Sequence, residues 1–237
     1  MSVKITWLGH AAFLIEGSRK VLIDPFISGN PSSPVKPSDV KPDVIAVTHG
    51  HGDHVGDAIE IARENGCPIV CIHELSRILG SEGVEVVGMN IGGTAVVRDV
   101  AFTMTPALHS ADVEVDGQII SAGCAAGFVV GIDGVKIYHA GDTGVFYDMK
   151  LIGELYSPDV ALLPVGDWYT MGPREAAKAV ELIKPRVAIP MHYGTFPVIN
   201  GSPEEFKELA SKHCEVVILK PGESYEVLRV LVSDCFL

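Results

Sequence analysis

Apolar and polar positions alternate from Val3 to Trp7, pause at Gly9-His10, and resume through Ala12-Phe13-Leu14-Ile15. A period of two marks a half-buried strand. Gly17-Ser18 turns the chain into Lys20-Val21-Leu22-Ile23-Asp24-Pro25, a third strand closed by proline. Residues 27–42 hold four prolines among Ser, Gly and Asn, a loop long enough to line or cover a site. Pro42-Asp43-Val44-Ile45-Ala46-Val47 is an apolar, β-branched run that predicts a buried strand. Beyond it, Asp57 to Asn65 predicts a short helix stopped by Gly66, Pro68 to Ile72 a strand, and His73 to Leu79 a second helix. Short strands are expected at 84–87, 94–97 and 101–105.

The second half of the pattern repeats the first. Phe13-Leu14-Ile15 and Lys20-Val21-Leu22-Ile23 return as Phe128-Val129-Val130 and Lys136-Ile137-Tyr138. The buried strand at 42–47 returns as Pro158-Asp159-Val160-Ala161-Leu162-Leu163, a helix follows from Arg174 to Ile183, and Val187-Ala188-Ile189-Pro190 is again a strand. One domain over 1–237 is expected, of mixed α/β (α+β) class, with similar halves of about 1–115 and 116–237. Two β-rich halves with interspersed helices imply two sheets face to face with helices outside.

Composition supports a sizeable core: 237 residues, 47% hydrophobic and 20% charged. The net charge of -12 repels phosphate backbones, so long nucleic acid is not expected as a partner. The longest uncharged stretch, 117–132, carries four glycines and is too short to span a bilayer, so no membrane association is expected. The chain enters its first strand without a secretory signal. Its five cysteines, at 67, 71, 124, 214 and 235, form no CxxC pair. Both features predict reduced thiols in a cytoplasmic protein. A homo-oligomer is compatible with all of this.

The chemistry is concentrated after the strand at 42–47, in Thr48-His49-Gly50-His51-Gly52-Asp53-His54. Three imidazoles and a carboxylate are ligands for zinc, manganese, iron or nickel. Glycines at 50 and 52 remove side chains that would keep the loop from wrapping round an ion. Four donors cannot satisfy two ions, and further donors follow other strands: His109 after 101–104, Asp142 after 135–138 and His192 after 187–190.

These motifs, with Leu22-Ile23-Asp24-Pro25, Gly141-Asp142-Thr143, Met191-His192-Tyr193-Gly194 and Met171-Gly172-Pro173 ahead of Ala176-Ala177, resemble the metallo-β-lactamase fold superfamily. The nearest likeness is its single-domain metal-dependent hydrolase branch, akin to ascorbate-6-phosphate lactonases. The resemblance implies a four-layer αββα sandwich with the metals at one edge. It also implies that His49, His51 and His109 hold one divalent ion, that Asp53, His54 and His192 hold the other, and that Asp142 bridges them. Two such ions about 3.5–4 Å apart bring the pKa of a shared water toward neutrality and make a bridging hydroxide available. The function expected is hydrolysis of a small anionic substrate: a phosphodiester, a cyclic phosphate or a phosphorylated lactone. Asp53 is also the candidate proton carrier. A di-iron redox protein and a non-catalytic regulatory metal module are the alternatives; the lack of a flavin domain and the presence of Asp53 weigh against them.

Weaker candidates surround this set. Asp24 is placed to hold a histidine through its other ring nitrogen, or to cap its strand. His10 opens toward the metal edge, where it either touches substrate or serves as a turn residue. Tyr193 and Thr195 offer hydroxyls near the second ion, and Arg174 is the one anion clamp near the inferred rim. His139, in the position that mirrors Asp24, reads as structural, and His73 and His213 as surface residues. Trp168 to Met171, in place of the first half's ligands, read as a pocket wall or core packing.

Overall fold

The structure, a computed structural model, describes residues 2–228. The first half builds strands β1 (Ser2–Trp7), β2 (Phe13–Glu16), β3 (Lys20–Ile23), β4 (Val44–Ala46), β5 (Ile69–Ile72) and β6 (Val86–Met89). Helices α1 (Gly52–Val55), α2 (Ala58–Asn65) and α3 (His73–Gly80) interrupt them. There follow β7 (Thr94–Val97), β8 (Val100–Pro106), β9 (Asp112–Val115), β10 (Gln118–Ser121), β11 (Ala126–Ile132) and β12 (Val135–His139). The chain continues through α4 (Met149–Tyr156), β13 (Val160–Pro164), α5 (Pro173–Ile183), β14 (Val187–Met191), α6 (Pro203–Ala210), β15 (Glu215–Val216) and β16 (Ser224–Leu228).

Two seven-stranded sheets result, in the orders β16-β1-β2-β3-β4-β5-β6 and β15-β14-β13-β12-β11-β8-β7. Read from β16 and from β7, each sheet makes three antiparallel pairings and then three parallel ones. The match sets β1 against β8, β3 against β12, β4 against β13 and β5 against β14. The sheets divide between Met89 and Thr94, earlier than the expected boundary near residue 115. The cause is pairing: β7 and β8 bond to one another and to β11, so they join the second sheet.

One apolar cluster fills the space between the sheets, joining Val3, Ile5, Phe13 and Ile45 of the first to Phe102, Phe128, Ile137 and Ile189 of the second. Phe102 and Phe128 meet edge to face, 6.2 Å apart. Ile61 of α2 and Leu75 and Leu79 of α3 extend it on the outer side of the first sheet. A second cluster packs Tyr138, Ala161 and Leu163 against Ile152, Ala176, Val180 and Phe206, which sets α4, α5 and α6 on the outer face of the second sheet. The result is the four-layer αββα sandwich that the resemblance implies. No helix among the described residues is long and apolar enough to cross a membrane.

Several elements lacked a reading from the sequence. Helix α4 contains Gly153, a weak helix former, because any Cβ there would run into the carbonyl of Ile183 on α5. The β9–β10 hairpin turns on Asp116-Gly117, both at positive φ, a two-residue turn signal. Ser202 caps α6, its hydroxyl accepting from the Glu205 amide at 3.1 Å ahead of a proline at the first helical position. The proline-rich loop at 27–42 borders a hollow of its own beside Glu60 rather than covering the histidine-rich edge.

Phe128→Ala removes a fully buried ring at the seam between the sheets. It is expected to cost about 3–5 kcal/mol, measured as a shift of the urea midpoint with m unchanged.

Candidate metal centre

Strand direction decides where the polar residues gather. In the first sheet β1, β3 and β4 run the same way, and in the second β8, β12, β13 and β14 do so. The segments after their C-terminal ends carry His10, Asp24, His49, His109, Asp142, Trp168 and His192 in turn. The two sheets are stitched at this edge by His192 N–H to the His10 carbonyl, 2.9 Å, and Ala126 N–H to the Thr48 carbonyl, 3.2 Å. His10, Asp24 and His192 all adopt left-handed backbone, at φ 55, 45 and 56. Such conformations are uncommon outside glycine, though Asp and His adopt them more readily than most, and they gather where function demands a particular aim.

The side chains converge in overlapping sets whose potential ligand atoms lie within 4.8 Å of one another: His49, His51 and His109; His10, Asp53, His54 and His192; and His49, His54 and Asp142. The seven residues singled out as ligands thus come together, with His10 added. Asp53 and His54 do not lie on an open loop. They belong to α1, a single helical turn that starts after His51.

Hydrogen bonds behind the cluster fix how the rings face it. Asp24 accepts from the Thr48 amide at 2.8 Å and from the Thr48 hydroxyl at 2.7 Å. Since that hydroxyl donates to Asp24, it accepts from His49 Nδ1 at 3.0 Å, which leaves the lone pair of Nε2 for the cluster. His54 Nδ1 donates to Asp24 Oδ2 at 2.7 Å, again leaving Nε2. His49 Nε2 and His51 Nδ1 lie 2.9 Å apart, while His51 Nε2 faces outward to Asp112 and Ser110, each at 3.3 Å. Thr48, Ser110 and Asp112 were missed as orienting residues: Thr48 heads the histidine-rich motif without a signature of its own, and Asp112 reaches His51 only because the β9–β10 hairpin folds over the loop.

His10 is fully buried and spans Asp53 and Thr195, with Nε2 3.1 Å from Asp53 Oδ2 and Nδ1 3.0 Å from Thr195 Oγ1. Burial pulls the imidazole down to about 4 against the opposing hydrogen bond from Asp53, so it is neutral at pH 7. A neutral ring bonded this way donates from Nε2 to the carboxylate and accepts the Thr195 hydroxyl at Nδ1. Burial on its own would raise Asp53, but the His10 hydrogen bond and the nearby His54 hold it well below the usual carboxylate range. Burial pushes His49 and His109 below the ordinary histidine value. His54 is the exception, since Asp142 and Asp24 on either side overcome its burial and raise it.

Asp142 lies between the sets. Its Oδ2 is 3.0 Å from His192 Nε2, 3.3 Å from His54 Nε2 and 3.6 Å from His109 Nε2. Yet Asp142 Oδ1, His54 Nε2 and both ring nitrogens of His192 are buried without a hydrogen bond of proper geometry. Buried polar atoms of this kind are rare and costly, and here they are ligand-type atoms aimed at a common space. The donor set therefore fits divalent cations. They would be held by His49, His51 and His109 on one side and by Asp53, His54 and His192 on the other, with Asp142 within reach of both.

The space opens to solvent as a cleft of about 280 Å³ bordered by Asp53, His109, Ser110, Asp142, Tyr169 and His192 among others. A larger hollow of about 380 Å³ lies between α4 and the end of α5, but no such donors converge on it. Two expectations fail at the cleft. Arg174 is no anion clamp: it lies on the outward face of α5, in a groove shared with Lys178, Glu181 and Lys212. Tyr193 is no hydroxyl donor at the cleft; its ring stacks on Trp7, centroids 5.2 Å apart, and packs into the core. His139 is structural, accepting from the Gly141 amide at Nδ1 and donating to the Ala11 carbonyl from Nε2 at 2.9 Å. His73 and His213 are exposed.

The two loop glycines differ. A Cβ at Gly50 would lie 2.5 Å from the Asp112 carbonyl, whereas one at Gly52 would meet nothing within 4 Å. Gly52 is thus not required for close wrapping. Gly50→Ala is expected to cost about 1–3 kcal/mol and to loosen the hairpin from the loop. Gly52→Ala is expected to be neutral or to stabilise by up to about 1 kcal/mol, since its backbone is one alanine adopts freely. Thermal melts of the pair, with metal content alongside, check the contrast.

Residues 19–193 match the family described as the beta-lactamase superfamily domain. A UPF0173 metal-dependent hydrolase of Archaeoglobus fulgidus is 65% identical over 228 residues, covering 94% of this chain and 99% of that protein. A protein of the same description from Methanosarcina mazei is 56% identical over 227 residues, covering 95% and 99%. Among solved structures, Igni18, a metallo hydrolase from Ignicoccus hospitalis, superposes with a TM-score of 0.88 at 40% identity, covering 97% of this chain and 100% of that one. With its His/Asp cluster at the shared edge of two matching sheets, the chain belongs to the β-lactamase superfamily and, within it, to the UPF0173 metal-dependent hydrolases.

Proposed function

We propose that this chain is a dinuclear hydrolase of small substrates, with zinc, manganese, nickel or iron as the ion pair. The observation that carries the reading is the convergence of Asp142, His54 Nε2 and His192 Nε2, with Asp142 Oδ1 and both these ring nitrogens buried without hydrogen bonds, at one cleft. Divalent ions there would bring the pKa of a water near neutrality and polarise the oxygen of the bond to be broken. The chain's own residues do the rest. Asp24 and Thr48 lock the tautomers of His54 and His49. Asp53, ionised and steered by His10 and Thr195, is placed to accept a proton and deliver it to the leaving group. His10 holds one carboxylate oxygen of Asp53 and is a positioning residue.

Among the described residues no lysine or arginine borders the cleft. A dianionic phosphate distant from the bond would find no ammonium or guanidinium to meet it. A lactone, an ester or a singly charged phosphodiester therefore suits the cleft better than a phosphorylated lactone, and no basic track leads a long nucleic acid toward it. Free thiols at Cys67, Cys71, Cys124 and Cys214 suit a cytoplasmic setting; Cys235 lies outside the described residues.

His49→Ala with His51→Ala is expected to leave a folded protein of low metal content, measured by elemental analysis beside circular dichroism. Full metal content in that variant would sink the assignment. Asp53→Asn should lower turnover of the metal-loaded protein by about two to four orders of magnitude. Unchanged turnover at full metal occupancy would refute the proton-carrier role. Comparing kcat/KM for a lactone and a cyclic phosphodiester on one metal-loaded sample decides the bond type.

A further inference from the structure

The β13 loop occupies the place in the second sheet that the metal loop occupies in the first, since β4 and β13 each lie fifth when the sheets are read from β16 and from β7. Instead of histidines it presents Asp167-Trp168-Tyr169. Asp167 and Trp168 both have left-handed backbone, at φ 63 and 59. The Tyr169 amide closes a three-residue turn onto the Asp167 carbonyl at 2.6 Å, and the Trp168 amide donates to Asp167 Oδ1 at 2.7 Å. A bulky aromatic at the centre of such a turn is strained, and here the strain holds it away from the core. Trp168 is 72% exposed and Tyr169, which borders the metal cleft, is 59% exposed.

The turn is anchored to the donors. Asp167 N–H bonds the Met171 carbonyl at 3.1 Å, and Met171 N–H bonds the carbonyl of Thr143, the neighbour of Asp142, at 3.0 Å. Thr143 Oγ1 accepts from the Leu108 amide at 2.9 Å, and Leu108, 58% exposed, precedes His109. Three exposed apolar side chains are thus tied by short hydrogen-bond paths to Asp142 and His109. Single exposed apolar residues are ordinary, but Tyr169 borders the polar cleft and the other two adjoin residues tied to its donors, which marks a binding surface.

We propose that Tyr169 at the cleft and Trp168 next to it in the turn, with Leu108 next to His109, form an apolar platform that holds an aromatic or aliphatic group attached to the bond being hydrolysed. The substrate is then amphipathic: a compact carbonyl or singly charged phosphoryl head at the His/Asp donors and an apolar group against the turn. The inference rests on the hydrolase reading and adds the chemistry of the remote group.

Phenylphosphonate and methylphosphonate share a head and differ in that group. The chain's two tryptophans make the measurement direct: Trp7 is buried against Tyr193, so acrylamide quenching reports Trp168. In the metal-loaded protein phenylphosphonate should bind about tenfold more tightly than methylphosphonate and shield Trp168 from acrylamide. In the Trp168→Ala/Tyr169→Ala double variant at unchanged metal content the ratio should fall to about one. Equal affinities in the unaltered protein, or a tenfold ratio that survives the double substitution, overturn the platform while leaving the hydrolase reading intact. Failure of both phosphonates to bind the metal-loaded protein overturns the hydrolase reading and the platform with it. A Trp168 already shielded without ligand, in a protein that sediments as a dimer, assigns the turn to contact between copies and also overturns the proposal.

Discussion

A carboxylate and several imidazoles buried side by side destabilise a protein unless something satisfies them. Asp142, His54 and His192 are almost wholly inaccessible, and their free ligand atoms point into one space. Much of the architecture exists to hold them there. Each strand that runs toward this edge has neighbours that fix its end, and the cross-sheet bonds from His192 to His10 and from Ala126 to Thr48 keep the two halves in register. The αββα packing, which needs only apolar faces, does not by itself require that accuracy. The donors do.

Rigidity at this edge is layered. The rings of His54 and His49 are aimed by Asp24 and Thr48, and the Asp53 carboxylate by His10, itself held by Thr195. Those residues are held in turn by backbone that is locally unfavourable, as at His10, Asp24 and His192. Strain of about 1–3 kcal/mol per residue persists only where the surroundings over-determine the conformation. Here a core that reaches across both sheets supplies the surplus.

The sequence exposed the candidate ligands because they are chemically rare and because each follows an apolar strand. The repeat was legible for the same reason: β2, β3 and β4 have close counterparts in β11, β12 and β13. What escaped was set by contacts distant in sequence. Nothing local shows that β7 and β8 join the later strands, so the division between the sheets was placed too late. Arg174 and Tyr193 looked like site residues from their neighbours in sequence, yet the helix face of one and the stacking partner of the other point them elsewhere. Asp112 carried no motif at all, and its place beside His51 is a product of the hairpin's fold. The caps and turns at Ser202 and Asp116-Gly117 were a different failure, since their local signatures were readable.

Strand β16 pairs with β1 along its whole length, Val227 opposite Val3. The first sheet therefore joins the first strand of the described residues to the last. Until β16 is made, β1 has an unpaired edge, a ready template for another chain. His10, at the end of that same strand, waits equally long for the finished sheet beneath it. During translation the histidine-rich loop is made before β16, the strand that completes the sheet steadying it. The nascent chain thus passes through a stage in which the His/Asp donors of the loop are present before the scaffold is closed. The sequence separation that gives the mature centre its stiffness makes its assembly a late and cooperative event.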